Sequence, residues 1–210
     1  MSTDDRGKRA ARADLARLLS ACFYEPGPEF VEERVFDALR ESASMVDAGL
    51  ADAARRVGAA FAASSVDDLL VDYTRLFLGP VDARARPYGS VWLDRRQALM
   101  GDSTMDLLRQ YREAGFDVDA AFRDLPDHVA VELEFLYLLL YREAEAGMRA
   151  DGPALAAAVE RRLRFLRTHL GAWIAPFAAA VRAGAQTDYY RELAALTQRF
   201  VVSDVARGTG

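Results

Sequence analysis

The chain has 210 residues, 51% hydrophobic and 28% charged, with a formal net charge of −5. That profile suits one globular unit burying roughly 70% of its unfolded surface without a disulfide or metal staple, and it excludes a disordered chain. The mild acidity argues against nucleic acid or an anionic membrane as partner.

Residues 1–10 are polar and are expected to fray. Helices then follow one another. Over 11–26, Leu15, Leu18, Leu19, Cys22 and Phe23 recur at about 3.6-residue spacing until Pro26 stops the run. A second helix fits 28–46, with Phe30, Val31, Val35, Phe36 and Leu39 on one side. A third fits 52–64, weakened by Gly58, and a fourth runs from Val66 through Leu69, Leu70, Tyr73, Leu76 and Phe77 to Gly79-Pro80. The loop after it keeps Tyr88, Val91 and Trp92 among Gly, Pro and Arg. It reads either as a packed Ω-like loop or as one wall of a ligand site.

From 94 to 116 a short helical turn precedes a longer helix, with Asp102 or Ser103 as N-cap and Gly115 as stop. Asp124 is the expected cap of the next helix, with Pro126 in its first turn. That helix, 127–146, is apolar almost all round from Val129 to Tyr141 and is expected to be covered on every side. Helices around 153–169, 172–183 and 188–206 finish the chain, with Gly171, Pro176 and Gly184 at or near the breaks. The expected fold is an all-α, single-domain helical bundle over 1–210 around the helix at 127–146.

No phosphate-cradling loop, dinucleotide fingerprint or nucleophile elbow occurs. Cys22 is the sole cysteine and reads as a buried, inert thiol. With His128 and His169 the only histidines, no usual zinc or iron–sulfur set can be assembled and no cofactor is expected. The opening MSTDDRGKRAARAD lacks an apolar signal core, and no run approaches the length of a membrane span, so a cytoplasmic location without membrane insertion is expected.

The densest polar cluster is Asp127, His128, Glu132 and Glu134. His128 and Glu132 are four apart and share a helix face, as nearly do Asp127 and Glu134, seven apart. Such a set can cap a helix and accept salt bridges, bind a ligand, or serve a metal-dependent hydrolase. His169 reads as a satisfied histidine, and Arg161, Arg162, Arg164 and Arg167 as one solvated face.

Taken together, LFLGP, PYGSVWLD, GDST and LPDHVAVELEFL resemble the TorD/DmsD family of redox-enzyme maturation chaperones, the DmsD branch above all. Two signatures carry the likeness: Tyr73-x-x-Leu76-Phe77-x-Gly79-Pro80 and Pro126-Asp127-His128-x-x-x-Glu132-Leu133-Glu134. The chain departs at Tyr73 and Val81, where that branch has tryptophan, and at Arg86-Pro87-Tyr88, where it has Pro-Pro-Trp.

The resemblance implies a cytoplasmic chaperone and no catalysis. Its partners would be the twin-arginine signal peptide and the apo catalytic subunit of a molybdopterin-containing oxidoreductase, whose cofactor insertion and export it assists. The resemblance places the leader site at Tyr73, Leu76, Phe77, Gly101, Pro126, Asp127 and His128, beside Tyr88 and Trp92. A basic pair followed by an apolar run calls for an aromatic-walled trough with carboxylates at one end, for which Glu132 and Glu134 add acceptors. Such a protein could instead handle a guanine nucleotide or the molybdenum cofactor itself, and a homodimer is left open.

Overall fold

The computed structural model describes residues 3–79, 83–94, 101–117 and 125–207. Among them are eleven α-helices, one π-helical turn and no strand, as the all-α reading expected. α1 (Thr3–Ala21) runs beside α8 (Val129–Met148) over much of its length. α9 (Gly152–Thr168) covers another side of α8. α3 (Val35–Val46) and α4 (Ala48–Ala62) pair with each other, and α4 also packs on α11 (Asp188–Ala206). α10 (Leu170–Gly184) lies against α11 and the short α6 (Gly89–Leu93), which itself meets α7 (Asp102–Glu113).

Several boundaries differ from the sequence expectation. The decad expected to fray is helical from Thr3, and Arg9 anchors it through an ion pair to Glu143 at 3.1 Å. The single helix expected over 28–46 breaks into α2 (Glu29–Glu32) and α3, because Arg34 sits at φ 54°, ψ 40°, left-handed backbone that no helix can continue through. Asp47 accepts the Leu50 N–H and caps α4, which starts at Ala48, four residues before the expected point. Gly101, not Asp102 or Ser103, is the N-cap of α7. Pro176 lies inside α10 rather than at a break. Ala172, one turn back, and Pro176 itself are both exposed, so solvent can replace the hydrogen bond the ring deletes.

Asp124, expected to cap the central helix, lies outside the described residues. The cap is His128, whose Nδ1 accepts the Ala130 N–H at 3.2 Å, so Pro126 and Asp127 precede the helix instead of opening it. α8 is covered on all sides only at its start, where Val129 to Leu133 are consecutively buried. Further on, Tyr137 and Leu138 are half-buried and Tyr141 is 48% exposed, so one stripe reaches solvent.

Fully buried large side chains, among them Trp173, Tyr189, Tyr190, Phe135, Phe165 and Phe177, fill the space between these helices. Each contributes about 1.5–3 kcal/mol by leaving water. Polar groups close the ends. Asp72, wholly buried, accepts the Gln186 N–H, the Thr187 N–H and the Thr187 hydroxyl at 2.8–2.9 Å and so caps α11 from a distant helix.

Four buried charges join the termini. Arg12 of α1 donates to Asp204 of α11, through Nε at 2.8 Å and also through Nη2, and to Glu143 of α8 at 3.3 Å. Arg162 of α9 donates to Glu143 and Asp204 at 2.8 Å each. Arg162 therefore does not belong to a solvated arginine face. Helix periodicity turns it inward, away from the exposed Arg161, Arg164 and Arg167, and two carboxylates neutralise it there.

Candidate functional site

α5 (Val66–Tyr73) passes into a π-helical turn, Thr74–Leu78. Its carbonyls are capped by the next loop, Ala85 N–H donating to Leu76 O at 2.9 Å and Arg84 N–H to Arg75 O at 3.5 Å. The loop then reaches the start of α8. Tyr88 and His128 form an isolated antiparallel bridge: Gly89 N–H donates to Asp127 O at 2.8 Å, and Val129 N–H to Pro87 O at 2.7 Å. The chain thus stitches its two signature segments together by backbone, with the Tyr88 ring edge-on to the His128 ring at 5.6 Å.

Beneath the bridge two carboxyl side chains, Asp127 and Glu132, are buried. Asp127, 2% exposed, accepts the Ser90 N–H at 2.9 Å and the Thr104 hydroxyl at 3.4 Å through one carboxylate oxygen. Its other oxygen and the Ser90 hydroxyl are buried and find no hydrogen-bond partner among the described residues. Glu132 is fully buried and accepts the Trp173 indole N–H at 3.2 Å. Burial pushes the Glu132 carboxyl well above its ordinary range, and the charge of Asp127 adds to the rise. Gly89 is required here, since a Cβ on it would stand 2.7 Å from a Glu132 oxygen.

Glu134 leaves α8 on another side. It accepts from the Tyr24 hydroxyl at 3.1 Å and the Ser20 hydroxyl at 3.5 Å, both near the end of α1. The four polar residues singled out in the sequence are therefore split. Asp127 and Glu132 share the buried space, His128 caps the helix between Tyr24 and Tyr88, and Glu134 is half-buried against α1. Among the described residues no group of three or more His, Cys, Asp or Glu is placed to hold a metal ion.

The expected trough walls fare differently. Tyr73, Leu76 and Phe77 are 8%, 0% and 4% exposed and belong to the core, so they cannot line an open groove. The Phe77 ring lies against Phe23, Phe177 and Tyr190 at 5.6–6.3 Å, which is what the apolar spacing serves. Tyr88, Trp92, Gly101 and Pro126 are half-buried and reach the surface. Trp92 donates its indole N–H to Arg86 O at 3.0 Å and meets Phe177 edge-on, so the aromatic loop folds back on the core with its rim showing. Asp94 accepts from Ser103 at 3.0 Å, and a Cβ on Gly101 would collide with the Asp94 carboxylate.

Sequence reasoning missed Tyr24, Gly89, Ser90, Thr104 and Trp173. The PYGS turn held the signal for Gly89 and Ser90, while Thr104 and Trp173 enter from helices whose approach no local pattern reveals. Elsewhere, Cys22 is buried and its thiol is pushed up to about 12 by burial, which makes it inert. His169 is buried with Nε2 2.9 Å from Asp106, as a satisfied histidine should be.

The fold is an all-helical bundle whose two signature segments meet in a backbone bridge over a buried acid pair. The family described as "Nitrate reductase delta subunit" matches residues 39–179. The "Tat proofreading chaperone DmsD" of Salmonella typhi is 34% identical over 146 residues, 69% of this chain and 70% of that protein. "Chaperone protein TorD" of Shewanella pealeana is 28% identical over 144 residues, 65% of this chain but 59% of that protein. A crystal structure of a putative redox enzyme maturation protein from Archaeoglobus fulgidus matches the fold with a TM-score of 0.55 at 20% identity, over 90% of this chain and 92% of that one. The chain belongs to the TorD/DmsD family of redox-enzyme maturation chaperones. These relatives carry the names of chaperones and maturation proteins, not of catalysts.

Proposed function

We propose that the chain is a cytoplasmic chaperone that binds the twin-arginine signal peptide of a molybdopterin-containing oxidoreductase and keeps its apo catalytic subunit available for cofactor insertion before export. The carrying observation is the 34% identity across 69% of the chain to a protein named as a Tat proofreading chaperone. The leader contacts the surface rim over the buried acid pair through Tyr88, Trp92, Gly101 and Pro126, and reaches Glu134 on the α1 side, beyond the His128 and Tyr24 rings. Asp127, His128 and Glu132 hold that rim rigid from below, and Tyr73, Leu76 and Phe77 support it from the core.

The physics is consistent with a reversible holder. Rigid aromatic edges offer contact area at low entropy cost, and Glu134 offers a carboxylate to a guanidinium. A leader burying ~400 Å² of apolar surface gains about 10 kcal/mol gross, and an association cost at the low end, roughly 4 kcal/mol, leaves about 6 kcal/mol, an affinity of tens of micromolar before any ion pairing.

Calorimetry with a twin-arginine leader peptide and its twin-lysine counterpart tests the reading. The arginine peptide binds more tightly, and Tyr88→Ala or Glu134→Gln weakens it about tenfold while the melting temperature holds. Equal or absent binding of the two peptides by the wild type overturns the leader assignment.

A further inference from the structure

Away from the bridge, α5 contributes side chains to two apolar hollows. The first, about 390 Å³, is walled by Phe30, Phe36 and Phe61, with Val31 and Val66 also lining it. Its aromatic rings stack on one another, Phe36 against Phe61 at 4.5 Å and Phe30 against Phe61 at 5.8 Å. The left-handed turn at Arg34 sets α2 at an angle to α3, and Gly58 lets Phe36 lie close on α4, where a Cβ would stand 3.2 Å from that of Phe36. The second hollow, about 510 Å³, is lined by Leu70, Val71, Thr74, Arg75 and Gly79. Val66 of the first and Leu70 of the second are one helical turn apart, so the two hollows lie in line as a track along residues 66–79, about 20 Å long.

This track concentrates exposed apolar surface. Of the nine large hydrophobic side chains exposed among the described residues, Val31, Val66, Val71 and Leu78 lie on or beside it, Val31 at 65% and Val71 at 61%. The other five are scattered over other helices. A contiguous apolar strip of this kind marks an interaction surface.

The charges around it are one-sided. Glu29, Glu32 and Glu33 of the α2 turn and Asp67 and Asp68 of α5 are all exposed next to residues that line the aromatic hollow. The arginine in its lining, Arg34, is taken up by Asp37 at 2.8 Å. At the far end Arg75 is held by Asp72 at 3.1 Å. A greasy strip with a negative mouth is complementary to a helix that is apolar along its length and basic at one end.

We propose that this track docks such a helix from the client polypeptide, with its basic end at Glu32 and Glu33 and its apolar side along Val31, Val66 and Val71. The inference rests on the chaperone reading for the source of the helix, and it places the helix on a surface separate from the leader rim. Holding a second segment gives the chaperone a grip on the client body and raises the effective concentration of the leader at its own site.

Fluorescence anisotropy with the full chain tests it, using a labelled Leu/Ala helix of about thirteen residues opened by paired lysines, and the same helix opened by paired glutamates. The lysine probe binds and the glutamate probe does not. Val31→Asp and Val71→Asp, both at exposed positions, weaken the lysine probe about tenfold or more, and so does the Glu32→Lys, Glu33→Lys pair. Tyr88→Ala, which weakens a twin-arginine leader, leaves this probe within about twofold. Loss of the probe in Tyr88→Ala with full binding in Val31→Asp and Val71→Asp overturns the track and leaves the leader reading intact. Equal binding of both probes, no binding at all, or a self-association in sedimentation that Val71→Asp abolishes also overturns it, the last because a second copy would then be the occupant. Indifference of the wild type to twin-arginine over twin-lysine leaders strikes the leader reading alone.

Discussion

Glu132 and Trp173 share a hydrogen bond of 3.2 Å in a space where neither side chain has any exposed surface. The indole offers a single N–H, so the carboxyl keeps most of its acceptor capacity unused. Burial raises its protonation range, the Trp173 hydrogen bond opposes that only in part, and the Asp127 charge adds to the rise.

The sign of the resulting pH dependence follows. Glu132 titrates higher in the folded chain than its ordinary 4.5. Its contribution to stability is therefore complete below that value and is lost as pH rises towards the folded one, by up to about 1.4 kcal/mol per pH unit. Glu132→Gln keeps an acceptor for Trp173 without the charge. Denaturant titrations from about pH 5 to pH 8 should show the variant losing less stability than the wild type. Parallel curves would mean that the carboxyl is not held neutral.

The Asp106–His169 pair acts in the opposite direction. Burial lowers the His169 range despite the neighbouring carboxylate. Asp106 is lowered although burial opposes it, because hydrogen bonds from His169 and Gln110 outweigh that effect. Both depressed values give stability that is present at neutral pH and lost on acidification, first below about 6.5 for the histidine. Asp106→Asn removes the carboxylate that holds the His169 range up, so it should deepen the loss just below about 6.5, abolish the Asp106 contribution to the loss below about 3.8, and leave the alkaline limb unchanged, read as melting temperature against pH.

Arg162 sits between Glu143 and Asp204, all three under 4% exposed. Arg162→Met strands carboxylates in the interior and should cost about 3–5 kcal/mol in chemical denaturation. Replacing Arg12, Glu143, Arg162 and Asp204 together by apolar residues of similar volume should recover most of it. A small effect of the single change would show that water reaches the cluster.

Leu76→Ala and Phe77→Ala separate groove from core. Both side chains are buried, so each truncation should lower stability by about 2–5 kcal/mol. Any loss of leader binding should then track the unfolded fraction in a thermal melt. Weaker binding with an unshifted melt would return these residues to the leader's contact surface.

The helical order was legible because apolar residues recur at one period along nearly the whole chain, while the Asp47, Ser65 and Asp151 caps, local signals too, went unread. What failed was what periodicity cannot carry. The same spacing that buries Leu76 and Phe77 would also suit a groove, so sequence alone could not choose between them. The break at Arg34 needs a backbone angle that no residue pattern announces. Of the site, the two signature segments were readable as neighbours through the resemblance. Their backbone stitching at Tyr88 and His128, and the entry of Trp173 and Thr104, depend on long-range approach. Arg162 was misread because its burial depends on partners 19 and 42 residues away.

The Arg12–Asp204 contact spans 192 positions. Arg12 also meets Glu143 of α8, so during synthesis α1 can find a first counter-ion once α8 has formed and a second only when α11 closes on it. The first helix is therefore fastened in two stages, and a chain stopped short of Asp204 would leave both Arg12 and Arg162 with one carboxylate fewer.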